Sequence, residues 1–78
     1  MTAEKGIERL DHAIKTHGSR PEFIFVASRL IMELHAIGRI TLREGVLHSK
    51  NLILDEAIIV NEDQSLTDFD YRLPVLVI

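Results

Sequence analysis

The residues best suited to chemistry crowd the end of the chain. Asp55, Glu56, Glu62, Asp63, Asp68 and Asp70 face a single cation, Arg72, after residue 50. Such carboxylates can hold a divalent cation or pair for acid–base work. Their spacing is not that of an EF-hand, and no lysine follows at the interval a metal-dependent nuclease needs. Turns favour Asp for backbone reasons alone, so these acids read as turn and outer-face residues. The four histidines, His12, His17, His35 and His48, are dispersed. His12 and His17 are five apart and share no helix face, and none lies in a zinc-protease motif. No metal and no cofactor is expected. Ser28 and Arg29 follow an apolar run, where a helix start can bind an anion. The glycine-rich turn and Lys-Ser/Thr pair of a phosphate loop are missing, as are glycines flanking Ser28. Ser28 is therefore expected to be a helix N-cap first and an anion site, with Arg29, second.

Charge is divided unevenly. Through residue 50 there are eight Lys or Arg against six Asp or Glu, and the remainder is strongly acidic, giving −3 overall. Arg20, Arg29, Arg39, Arg43 and Lys50 gather around the ends of one central unit. Net acidity and only four aromatic residues argue against nucleic acid as partner, since phosphate neutralisation and base stacking carry that affinity. The acidic half can instead steer a basic partner protein, or simply decorate solvent-facing turns.

Residues 20–38 form that central unit. Phe23, Ile24, Phe25 and Val26 are an unbroken apolar run behind Pro21, which predicts a short strand covered on both faces. Leu30, Ile31, Leu34 and Ile37 recur at helical spacing, and Gly38 suits the left-handed residue past a helix end. Ahead of it, Thr2 can cap a helix to about His17, with Ile7, Leu10 and Ile14 as one stripe, Glu4 and Lys15 complementing the dipole, and Gly18 ending it. Beyond it, residues 39–43 alternate, placing Ile40 and Leu42 inward. A turn at Glu44 and Gly45, a short extended piece at Val46, Leu47 and His48, and a turn at Ser49, Lys50 and Asn51 come next. Residues 52–54 and 57–60 then make either a hairpin across Asp55 and Glu56 or one bulged strand. A primed turn there lacks its usual glycine. Residues 61–65 read as a polar loop. Residues 68–73 alternate strictly, with Phe69, Tyr71 and Leu73 on one side and Asp68, Asp70 and Arg72 on the other. Pro74 interrupts before Val75, Leu76, Val77 and Ile78, too apolar a stretch to stay in water.

With 78 residues the chain is one domain of α/β or α+β class. The expected architecture is a two-layer sandwich with two helices on one face of a small mixed sheet. The absence of cysteine, of a secretory leader and of any apolar run beyond five residues predicts a cytoplasmic protein that meets no membrane. A chain this short and 46% hydrophobic has few ways to hide every apolar group in one core.

Arg20, Pro21 and Glu22, the apolar run, Ala27 and Ser28, set between two helices, resemble a segment of the axial domain of the major capsid proteins of tailed phages. There, a helix leads through a Pro-containing turn to an apolar strand and a small residue before the next helix. Residues 52–60 followed by acids are similar to later strands of that domain. The chain lacks that family's long N-terminal arm and extended loop. The resemblance covers residues 7–60 in pattern and implies an assembly role, in a virion among other settings.

Composition and pattern together predict a non-enzymatic assembly or interaction protein. It would be homo-oligomeric through Phe69, Tyr71, Leu73, Val75 and Val77, with Asp68 and Asp70 alongside. A regulator presenting its acidic face to a basic partner protein, and an anion binder at Ser28 and Arg29, are the alternatives.

Overall fold

A computed structural model describes residues 2–45 and 50–75; the expectations for residues 46–49 and 76–78, Val77 included, lie outside the described residues. Two helices, α1 (Ala3–Thr16) and α2 (Ser28–Ala36), accompany β1 (Phe23–Val26), β2 (Ile40–Glu44), β3 (Lys50–Leu54), β4 (Ile58–Glu62) and β5 (Tyr71–Arg72). The strands make a five-stranded mixed sheet in the order β2-β3-β4-β1-β5. β1 runs parallel to β4, and every other pair is antiparallel. This is a small α+β fold of two layers.

Local chemistry explains the helix limits. The Thr2 hydroxyl accepts from the Lys5 amide at 3.2 Å, and Gly18, with φ 99°, ends the α1 segment. At the close of α2, the Gly38 amide donates to the His35 carbonyl and the Arg39 amide to the Leu34 carbonyl. Gly38 sits at φ 81°, so this is a Schellman closure that a Cβ would strain. The start of α2 differs from expectation. Ala27 is the N-cap and has no side chain to offer, while Ser28 is the first helical residue. The segment is held from outside instead, by the Ala27 amide donating to the Asp70 carbonyl at 3.0 Å.

Strand alternation decides which side meets the helices. Ile24, Val26, Ile40, Leu54, Ile58 and Val60 join Leu10, Leu30 and Leu34 in the buried core. The expectation that β1 would be covered on both faces is corrected: Phe23 remains 38% exposed, because both helices lie on the other face. Leu42 is also corrected. It shares the parity of Ile40, but β2 is the outer strand and Leu42 stays 63% exposed.

The connection between β3 and β4 is a hairpin, with Leu54 opposite Ile58. Asp55 and Glu56 take φ of 51° and 63°, supplying the left-handed backbone without glycine. β4 extends through Asn61 and Glu62, residues expected in a loop, because they pair with Phe25 and Val26. β3 likewise begins at Lys50, where a turn was expected, because Lys50 pairs with Glu44. The strand expected over 68–73 shrinks to Tyr71 and Arg72, for Asp68 is left-handed (φ 53°) and the Asp70 amide closes a turn on the Thr67 carbonyl. The alternation still has its packing consequence. Phe69 is buried, and Tyr71 and Leu73 pack against the core.

His17 ties the closing segment to the end of α1. Its ring nitrogens lie 3.0 Å from the Ser19 carbonyl and 2.7 Å from the Pro74 carbonyl. Two acceptors require two donors, and only the imidazolium has both. The Pro74 and then the Ser19 hydrogen bond raise the pKa above the ordinary histidine value of 6.5. A raised folded-state value means the contribution is complete below the unfolded pKa and is lost as pH climbs through the folded one. The melting temperature should therefore fall as pH rises above the ordinary histidine value, and by less in His17→Ala. Parallel melting profiles for the two proteins would contradict the latch.

Candidate functional site

Three places bring functional side chains together. The first is a cleft beyond the C-terminal ends of the parallel pair β1 and β4, where Ser28 and Arg29 meet Gln64, Leu66, Thr67 and Asp68. The Ser28 hydroxyl donates to Glu62 Oε1 at 2.7 Å. Arg29 pairs with Asp68 at 3.1 Å and lies 4.8 Å over the Phe69 ring. An anion arriving here meets two carboxylates already engaged with the groups that would receive it. The sequence placed Ser28 and Arg29 correctly at a strand-to-helix turn, but their acidic partners are 34 and 39 residues away and have no local signature.

The acidic residues around it are partly neutralised. Asp63 accepts from the Ser65 hydroxyl and amide and pairs with Arg72 at 3.1 Å. The Ser65 bonds, side chain first, hold its carboxyl below the usual range, and Arg72 adds to this. Asp70 accepts from the Tyr71 amide. Asp68 and Asp70 do stay exposed. Of the expected contact residues, Phe69 lies in the protein's own core and Tyr71 and Leu73 are half-buried, whereas Val75 is 88% exposed.

The second place is an ion triad. Arg39 binds Asp11 of α1 through Nη1 and Nη2 at 2.9 and 2.8 Å. It binds Asp55 of the β3–β4 hairpin through Nε and Nη2 at 3.0 and 2.6 Å. A planar fork matches two carboxylates in this way where an ammonium would not. The hydrogen bond from Arg39 holds the Asp55 carboxyl below its usual range, against opposing desolvation. All the charged groups are engaged with one another, so the triad is a clamp between three elements. Arg39→Met should cost about 1–2 kcal/mol at neutral pH, reduced from the figure for dry charge-assisted bonds because the carboxylates are half exposed. A depressed folded-state pKa gives stability that is present above the unfolded value and lost as pH falls through the folded one. The difference between variant and native protein in urea unfolding should shrink in acid. A constant difference across that range would exclude the clamp.

The third place is the sheet face turned away from the helices. Phe23 and Phe25 of β1 sit edge to face, their ring centroids 5.7 Å apart. Ile59 lies beside Phe23, and Ile53 is across from Ile59. Phe23 and Ile59 are 38% and 39% exposed, whereas Ile53 is buried, and the Arg72 guanidinium stacks 4.7 Å over Phe25. Thr41, Arg43, Asn51 and Asn61 share this side by register. The signal was present in the sequence: with two helices on one face, half of an unbroken apolar strand must point the other way.

Among the described residues, no three His, Cys, Asp or Glu side chains are placed to hold a metal ion, and no helix is long and apolar enough to cross a membrane. Comparison with protein-family models, curated proteins and solved structures finds no match.

Proposed function

We propose that this chain is a non-enzymatic interaction protein that assembles with copies of itself, and that the helix-free face of its sheet is the main contact surface. The observation that carries this reading is the pair Phe23 and Ile59, each more than a third exposed, with Phe25 half-buried beside them. Contiguous apolar surface of this kind is removed from water by a partner at roughly 25 cal/mol per Å². The polar neighbours Thr41, Arg43, Asn51, Asn61 and Arg72 supply the rim that such interfaces have. Of the C-terminal residues, Val75 is available to extend the contact. The cytoplasm is the compartment in which the reading places it, and assembly within a virion is the setting that the capsid resemblance suggests.

The paired substitution Phe23→Ser and Ile59→Thr tests the reading. Light scattering over a dilution series should give a larger mean mass for the native protein than for the variant, with matching circular dichroism. Equal masses at every concentration would overturn it.

A further inference from the structure

The closing stretch of the chain changes its hold on the body at one residue. Through Arg72 it is fastened repeatedly. The Asp70 carbonyl accepts from the Ala27 amide at 3.0 Å, and the Tyr71 hydroxyl donates to the Arg9 carbonyl at 3.2 Å. Arg72 pairs with Phe25 of β1 and bridges to Asp63. Strand pairing stops there. Continuing the register would set Pro74 opposite Phe23, and a proline nitrogen has no hydrogen to donate. Among the described residues, the hydrogen bond between His17 and Pro74 is the only one that ties residues 73–75 to another element. Leu73 adds half-buried packing against the core, and Val75 is 88% exposed.

We propose that residues 73–75 form a strap that the doubly protonated His17 ring holds shut at the end of α1, and that the strap swings open at Leu73 when the ring loses a proton. This goes beyond the self-assembly reading and is independent of it, because strap and latch belong to one chain.

His17 is the C-cap of α1, where the helix dipole favours a cation. Its Nδ1 lies 3.0 Å from the Ser19 carbonyl and its Nε2 2.7 Å from the Pro74 carbonyl. A neutral ring carries one N–H, so either tautomer loses a bond and turns a lone pair towards an oxygen. Ser19 is two residues away and stays beside the ring by connectivity, whereas Pro74 is 57 residues away and can leave. The two carbonyls, Pro74 first, raise the pKa of the ring against desolvation. No charged side chain shares in the rise: not His12 or Lys15 of α1, Arg20 or Glu22 of the connection to β1, nor Asp70 or Arg72 of the closing stretch. The closed strap therefore holds the proton more tightly than the open one. Opening is most costly below the ordinary histidine value and becomes easier as pH climbs through the raised one. A segment held by so few contacts can open without wider unfolding.

The chain has no cysteine, so one introduced thiol reports one position. Labelling of Leu73→Cys follows the strap, and Val75→Cys supplies the reactivity of an open thiol at each pH. Val26→Cys, at a fully buried position, reports wider unfolding. Relative to Val75→Cys, Leu73→Cys should label roughly 3- to 10-fold faster well above the ordinary histidine value than below it, the effect of about one hydrogen bond. It should also outpace Val26→Cys throughout. Adding His17→Ala should give the faster value at both ends of the range. An unchanged ratio, the same rise without His17, or labelling no faster than at Val26→Cys overturns the strap. The unmodified chain gives a check that no substitution disturbs. Its Leu73 methyl resonances should shift along with the titration of the His17 ring, and resonances that stay fixed while the ring titrates overturn the strap equally.

Discussion

Replacing Gly6 by alanine should destabilise the protein by about 1–3 kcal/mol, the range for overfilling a packed site. Helix propensity alone predicts the opposite sign, since alanine in a helix interior gains about 1 kcal/mol over glycine. The structure decides between them. A Cβ on Gly6 would stand 2.5 Å from Phe69 Cβ and 3.3 Å from both Phe69 Cγ and its carbonyl oxygen. Phe69 cannot give way cheaply, because the contact is to its backbone and first side-chain carbon. Its turn is closed by Asp70 on Thr67, and the Asp70 carbonyl holds the start of α2. Arg29 covers its ring. Urea unfolding of Gly6→Ala should show a lower midpoint, and a raised midpoint would mean that α1 and the 67–70 turn do not approach this closely.

Leu10→Ala should have the largest effect, a loss of about 2–5 kcal/mol from transfer and cavity costs together. Leu10 is fully buried and is the one long side chain of α1 so placed. A domain of this size holds about 4–12 kcal/mol in total, so the substitution removes a large share of it. Met32→Ala is the control. Met32 is 69% exposed on α2, and its truncation should fall within about 0.5 kcal/mol. Thermal melts by circular dichroism give both numbers. Similar melting temperatures for the two variants would mean that α1 is not anchored through Leu10.

Both substitutions show where reading along the chain succeeds. The stripe of Ile7, Leu10 and Ile14 was visible at helical spacing, and Leu10 proved to be its buried centre. Gly6 was not part of any pattern, because its role is a close approach to a residue 63 positions later. The same division runs through the candidate surfaces. The apolar types of Phe23 and Phe25 and the strand they occupy were plain. Which side of that strand faces away from the helices depended on where α1 and α2 settled. Phe69, Tyr71 and Leu73 were rightly grouped, but as a patch for a partner; the turn at Asp68 folds Phe69 inward and leaves Val75 outside. Arg39 read only as one of several cations, since Asp11 and Asp55 reach it from two other elements.

Interactions within a few residues were therefore legible from the chain: the Thr2 cap, the left-handed glycines at 18 and 38, the apolar periods of α1 and α2, and the two-layer class they imply. Each depends on backbone preference or on a repeat of 2 or 3.6 residues, which neighbouring residues set among themselves. Strand order, the insertion of β4 beside β1, the bond from Ser28 to Glu62, the Arg39 clamp and the helix-free sheet face arose from long-range packing. Many pairings satisfy the same local pattern, and they differ in free energy only when the whole core and its charges are brought together.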